Sequence, residues 1–145
     1  MGFAKYIEKV FAKRFLGIII YSMMNCVYKG RLGTNGELIA KKFLLNKNYK
    51  FVKNNYRYER AEIDLIFEDE KNKLLLFIEV KTRKNKKFGE PEESVNLSKQ
   101  NHIKKAVLGF VKDNLEYADH DLRIDVISIF FNEGQIEINQ IENAF

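Results

Sequence analysis

Apolar positions near the N-terminus recur at helical spacing (Phe3, Ile7, Val10, Phe11), which predicts an amphipathic helix there. Lys5, Lys9, Lys13 and Arg14 then precede an apolar stretch from Phe15 to Tyr28. Ser22 and Asn25 interrupt it, and it is shorter than the ~18–20 residues a membrane-spanning helix needs. The reading is an N-terminal helical extension over residues 1–30 that packs on the domain or on a partner, with membrane attachment as the alternative. From residue 31 to the end, the pattern is that of one compact domain.

Thr34 to Lys47 reads as a helix with an apolar stripe of Ala40, Phe43 and Leu44. Thr34 and Glu37 have the spacing of a capping box, and Glu37 also lies along the edge of that stripe. Tyr49 to Tyr58 reads as a strand. Glu62 to Glu68 alternates Ile63, Leu65 and Phe67 against Glu62, Asp64 and Ile66, a second strand. The nearly continuous apolar run Leu74 to Lys81 suits a central strand. Thr82 to Asn96 is a polar loop, and Ser98 to Leu115 is an amphipathic helix with Ile103, Ala106, Val107, Phe110 and Val111 on one face. Arg123 to Phe131 and Gln135 to Ile141 close the chain as two strands joined by Asn132-Glu133-Gly134. The order, a helix, three strands, a helix and two strands, gives an α/β domain with a mixed sheet flanked by helices.

Candidate chemistry sits in the hairpin of the second and third strands. If Glu70-Lys71-Asn72-Lys73 form a four-residue loop, Asp69 opposes Leu74, Asp64 opposes Glu79, and Glu62 opposes Lys81. The other face then carries Ile63, Leu65 and Phe67 against Val80, Ile78 and Leu76, all apolar as a core face requires. Two carboxylates directly across a strand pair repel, and burying them costs more. A divalent cation compensates, and hard oxygen donors suit Mg²⁺ or Mn²⁺. Glu79 and Lys81 share a face, so the lysine can help position an attacking water. Such a site serves phosphodiester hydrolysis, in which a metal lowers the pKa of water and neutralises phosphate oxygens. The alternative is an exposed sheet end with Lys81 merely pairing Glu62.

Charge and composition change this picture only modestly. Lys and Arg number 25 against 20 Asp and Glu, a net charge of +5, which permits nucleic-acid binding without establishing it. The basic run Lys81-Thr82-Arg83-Lys84-Asn85-Lys86-Lys87-Phe88 begins at the last residue of the carboxylate motif. Arg83, Lys84, Lys86 and Lys87 are therefore candidate phosphate contacts. Lys99 lies on the inward stripe of the second helix and is a fifth candidate; as a surface lysine it would only snorkel. His102 reads as a surface helix residue, and Arg123 and Asp125 share a strand face and can pair with each other. The single cysteine, Cys26, excludes an intramolecular disulfide and suits a reducing cytoplasm, and no Cys/His cluster points to zinc.

Several segments together, Gly36-Glu37, Ala61-Glu62-Ile63-Asp64-Leu65-Ile66, Phe77-Ile78-Glu79-Val80-Lys81-Thr82-Arg83, Phe88-Gly89, Lys99 and Arg123-Ile124-Asp125-Val126, resemble the YraN family of bacterial proteins. The resemblance spans roughly Leu32 to Phe131. That family is similar to the restriction-endonuclease-like nucleases, whose metal motif reads D…(D/E)-x-K and which include archaeal Holliday-junction resolvases. The resemblance implies an αβββαβ core, here with an extra N-terminal helix, and Asp64 and Glu79 as metal ligands. It also implies Lys81 as the catalytic lysine and Glu37 as a further acidic contributor. The implied activity is that of an Mg²⁺-dependent (or Mn²⁺-dependent) endonuclease on DNA, branched or otherwise structured DNA included, and resolvase-like relatives suggest a homodimer. The family usually has glycine where this chain has Ala61, and alanine tolerates a positive φ poorly. Two other readings stand beside it: a non-catalytic nucleic-acid-binding module of the same fold, and a membrane- or partner-docking protein working through its N-terminus.

Overall fold

The computed structural model describes residues 32–83, 96–132 and 135–145. The chain forms two compact units, Met1–Asn35 and Gly36–Phe145. The N-terminal helix expected before residue 31 lies outside the described residues. So do Lys84, Lys86, Lys87 and Phe88 of the basic run. Among the described residues, no helix is long and apolar enough to cross a membrane.

Helix α1 runs Leu32–Asn46, followed by β1 (Lys50–Tyr58), β2 (Ala61–Asp69) and β3 (Leu74–Arg83). Helix α2 (Leu97–Asp113), a short 3₁₀ turn (Leu115–Tyr117), β4 (Asp121–Asn132) and β5 (Gln135–Ile141) complete the fold. The expected element order is present in full. The five strands form one sheet in the order β1-β2-β3-β4-β5. It is mixed: β3 and β4 are parallel, and the other neighbouring pairs are antiparallel. A parallel pair needs a crossover connection, and α2 lies in the one between β3 and β4.

The hairpin register is the expected one, running from Asp69↔Leu74 to Leu65↔Ile78. Its four-residue loop is held by Asp69, whose Oδ1 accepts the Asn72 N–H at 3.2 Å and whose Oδ2 accepts from Asn72 Nδ2 at 2.7 Å. Lys73 ends the loop with φ 49°, the left-handed turn that returns the chain to the sheet.

Each sheet face has its own core. Tyr56, Ile66, Leu75, Phe77, Ile124 and Val126 pack with Ile103, Ala106, Val107 and Phe110 of α2. Phe110 meets Tyr56 and Phe77 edge-on, with ring centroids 5.0 and 5.8 Å apart. Burying one such side chain stabilises by roughly 1.5–3 kcal/mol. On the opposite face, Leu65, Phe67, Leu76, Ile78, Ile127 and Ile129 are buried, as are Ile39, Ala40 and Leu44 of α1. Gly36 places the start of α1 close to β3. A Cβ on Gly36 would meet Thr82 Oγ1 at 2.1 Å and Val80 Cγ1 at 3.6 Å.

Two local expectations are corrected. Helix α1 runs from Leu32, so Thr34 lies inside it rather than at an N-cap position. The two-residue turn before β2 takes its left-handed position at Glu59, φ 51°, so Ala61 needs no positive φ. Ala61 is instead a buried strand residue paired with Tyr58.

Candidate active site

The sheet parts where the carboxylates lie. Strand β2 stays paired with β1 down to Ala61, and β3 stays paired with β4 up to Arg83. Between β2 and β3, the paired residues end at Leu65↔Ile78. Asp64 and Glu79 therefore are not the ladder pair the register alone predicted; they stand where the two strands separate. The Val80 N–H, free of the ladder, donates to Asp64 Oδ2 at 2.6 Å. Glu62 and Lys81 do not meet either: Glu62 is exposed and pairs with Arg57 at 3.4 Å.

An open cleft of about 410 Å³ occupies this parting. Asp64 and Glu79 line it from the sheet, Arg60 and Glu62 from the β1–β2 turn and the start of β2, and Lys99 and His102 from α2. Glu79 is 5 % exposed and does not belong to a solvated sheet end. One of its oxygens, Oε1, accepts from Lys81 Nζ at 2.6 Å and also from Lys99 Nζ. The position of Lys99 is set by the α2 N-cap, where Asn96 Oδ1 accepts the Lys99 N–H at 2.9 Å.

Asp64 has the most perturbed ionisation of the group. Burial, the Glu79 charge and, more weakly, the Glu37 charge push its carboxyl up to about 7, against the opposing pull of the Val80 N–H and Lys99. Burial works against the Lys99 charge, but the Glu79 hydrogen bond and charge, aided by Asp64, outweigh it and raise its pKa. The site thus sets three carboxylates (Glu37, Asp64, Glu79) against two ammonium groups (Lys81, Lys99). A carboxyl held neutral beside a second carboxylate is the state that a divalent cation relieves.

The donor set fits such an ion. Among the described residues, no three His, Cys, Asp or Glu side chains form a ready-made metal cage. Mg²⁺ does not require one, because it keeps several waters and commonly takes one or two carboxylates plus substrate phosphates. Asp64 and Glu79 supply two hard carboxylates on one open cleft, which is that arrangement.

The structure thus brings together Asp64, Glu79, Lys81 and Lys99, with Glu37 within electrostatic reach. Of the remaining basic candidates only Arg83 is described; its Nε is buried without a hydrogen-bond partner among the described residues. Sequence reasoning missed Arg60 and assigned His102 to the outer surface. Both line the cleft. The signal for His102 was its i+3 spacing from Lys99, which puts the two on one helix face. The signal for Arg60 was its place in the turn that leads straight into the Asp64 strand. Arg123 and Asp125 do pair, with Nε–Oδ1 and Nη2–Oδ2 both at 2.9 Å, on the sheet face opposite Glu79.

Comparison with known proteins places this chain among relatives. The model of a family described as uncharacterised protein family UPF0102 matches residues 36–129, more than half of the chain. A UPF0102 protein of Caldicellulosiruptor bescii is 40 % identical over 124 residues, covering 84 % of this chain and all of the relative. One of Thermodesulfovibrio yellowstonii is 42 % identical over 114 residues, covering 79 % of this chain and 95 % of the relative. One of Syntrophomonas wolfei is 38 % identical over 114 residues, covering 79 % and 96 %. Among solved structures, Pyrococcus furiosus SfsA in complex with Ca²⁺ overlaps at a TM-score of 0.39 and 18 % identity, covering 77 % of this chain and 62 % of that one.

Proposed function

This chain belongs to the UPF0102 family, the YraN family its motifs resemble, and from that premise we propose that it is a metal-dependent endonuclease acting on DNA. The observation that carries the reading is the pair Asp64 and Glu79 on one cleft at the parting of β2 and β3, with Lys81 on Glu79.

Phosphodiester hydrolysis needs a deprotonated water and neutralisation of the charge that grows on the phosphate oxygens. A bound Mg²⁺ or Mn²⁺ supplies both, by acidifying water and acting as a Lewis acid. Asp64 and Glu79 would hold that ion. Asp64 is fixed for the task by the Val80 N–H, and Glu79 by its burial and by the two lysines on its Oε1. Lys81 is the group that orients the attacking water, because its short contact with Glu79 keeps the ammonium at the ligand set. Glu37 adds negative charge from α1 and strengthens the pull on a cation. Arg60, Lys99 and Arg83 serve the DNA backbone, a sequence-independent contact. Lys84, Lys86 and Lys87, which follow β3 in sequence and lie outside the described residues, are further candidate phosphate contacts by their charge alone.

The experiment is cleavage of a panel of single-stranded, duplex and branched DNA with Mg²⁺ or Mn²⁺. Wild type should cut at least one member. Lys81→Ala should lose roughly 100-fold or more, the scale seen when one group serving transition-state charge is removed. Asp64→Asn and Glu79→Gln should abolish cutting. If cleavage is unchanged in Lys81→Ala, the mechanism is wrong; DNA binding without cleavage under all conditions would reduce the protein to a binding module.

A further inference from the structure

Two lysines donate to the same oxygen of Glu79, and they reach it differently. Lys81 lies two residues along the same strand, so its proximity follows from the strand. Lys99 comes from α2, on the far wall of the cleft, and its helix start is fixed by the Asn96 cap. Its charge acts on Asp64 as well as on Glu79. The Lys99 ammonium therefore sits on the Glu79 carboxylate, within electrostatic reach of Asp64. The exposures are unequal: the Lys99 side chain is 42 % exposed and that of Glu79 is 6 %. Lysine carries a compact charge on a flexible stem, so Lys99 is the partner able to leave.

We propose that Lys99 is the resident cation of the Asp64–Glu79 pair in the metal-free protein, that a divalent ion displaces it from Glu79, and that the released ammonium then binds a substrate phosphate. The proposal rests on the reading of Asp64 and Glu79 as metal ligands. Three consequences follow from the charges alone. Without metal, the repulsion between two carboxylates is offset, so the site stays assembled. Metal affinity is lowered, because each ion has to compete with an ammonium already in place. DNA that draws Lys99 to a phosphate removes that competitor, so DNA and metal bind with positive coupling, and the coupling is reciprocal.

The test is Mn²⁺ titration calorimetry on the full chain, without DNA, for wild type, two neutral variants (Lys99→Met and Lys99→Gln) and the charge-preserving Lys99→Arg. Both neutral variants should bind Mn²⁺ about tenfold tighter, the order expected when one charge near a partly solvated site is removed. Lys99→Arg should stay within about threefold of wild type, because the competing charge remains. A short duplex should tighten Mn²⁺ binding clearly more in wild type than in Lys99→Met, where only ligation by the phosphate itself remains. If Lys99→Met binds Mn²⁺ no tighter than wild type, while Asp64→Asn and Glu79→Gln lose it, the inference falls and the metal site stands. If neither wild type nor the neutral variants bind Mn²⁺, both fall.

Discussion

The Asp64 side chain takes over from the backbone of its own strand: its Oδ2 accepts the Val80 N–H at 2.6 Å, two residues beyond Ile78, the last β3 residue paired with β2. An unbroken register would have set Ile63 opposite Val80. The carboxylate thus satisfies a donor that the parting of the sheet would leave bare, and an unpaired buried donor costs about 1–3 kcal/mol. One side chain both tolerates the opening and furnishes it with an acid.

That placement has a cost that depends on pH. The folded state holds the Asp64 proton up to about pH 7, whereas an unfolded aspartate releases it near pH 4. Between those values the folded state binds more protons, so stability falls as pH rises through the window. Once pH exceeds about 7 the cost is complete, on the order of 4 kcal/mol. Asp64→Asn keeps an oxygen for the Val80 N–H and carries no charge. In chelator, it should raise the melting temperature clearly at pH 8 and hardly at pH 5. Equal effects at the two pH values would show that Asp64 ionises normally.

Gly36 and Thr82 should be energetically coupled. Gly36→Ala brings a Cβ to 2.1 Å from Thr82 Oγ1, so the hydroxyl has to turn away or α1 has to shift from β3. Overpacking of this kind costs about 1–3 kcal/mol. With Thr82→Ala the clashing oxygen is gone, and the next contact, at 3.5 Å to Thr82 Cβ, is ordinary. In that background Gly36→Ala should stabilise by up to about 1 kcal/mol through helix propensity. A urea-denaturation double-mutant cycle measures the coupling. Additive effects would mean that α1 and β3 do not meet there.

The order of the elements and the hairpin register were legible because they rest on period and loop length. Ile63, Leu65 and Phe67 opposite Val80, Ile78 and Leu76 admitted one register, and that register is present wherever the strands pair. What could not be read was where the pairing stops. Asp64 and Glu79 were expected to face each other, yet the strands part at that level because β2 follows β1 and β3 follows β4. Periodicity describes a strand's two faces, not its choice between neighbours. The same limit hid the cleft: Arg60 and His102 come from a turn and a helix whose approach to the sheet depends on tertiary packing. Thr34 misled for a simpler reason. Capping spacing recurs by chance inside helices, and α1 already includes Leu32 and Gly33 ahead of Thr34.

Arg60 offers a test of the cleft as a nucleic-acid surface. It lines the same opening as Asp64 and Lys99. If it contacts one phosphate, Arg60→Ala should weaken binding to all DNA sequences alike. It should also reduce the slope of log K against log salt by about 0.9, the release of one counterion. Fluorescence anisotropy at several salt concentrations measures this. An unchanged slope would put the DNA backbone elsewhere, and a sequence-dependent loss would indicate base contact.

Asp125 is the counter-case, a buried acid with no place in the cleft. It is fully buried, and both of its oxygens are used twice. Oδ1 accepts from Arg123 Nε at 2.9 Å and from the Asn143 N–H at 3.0 Å, while Oδ2 accepts from Arg123 Nη2 at 2.9 Å and from Gln140 Nε2 at 2.8 Å. These bonds fasten β5 and the residues after it to β4. Asp125→Ala would leave the mostly buried Arg123 charge with only its 3.3 Å pair to the half-exposed Glu142 and would strip two further donors of their acceptor, a loss of about 3 kcal/mol, at the low end for broken buried pairs. Urea denaturation should show that loss, while Mn²⁺ affinity of the folded protein stays at the wild-type value, because Asp125 lies on the sheet face away from Glu79. Asp64→Asn should do the reverse, gaining stability at pH 8 and losing the metal. The two substitutions separate a carboxylate that the fold satisfies completely from one that it leaves in need of a cation. If Asp125→Ala also lost Mn²⁺ binding in its folded state, the two faces of the sheet would not be independent, and the assignment of Asp64 and Glu79 as a self-contained site would fail.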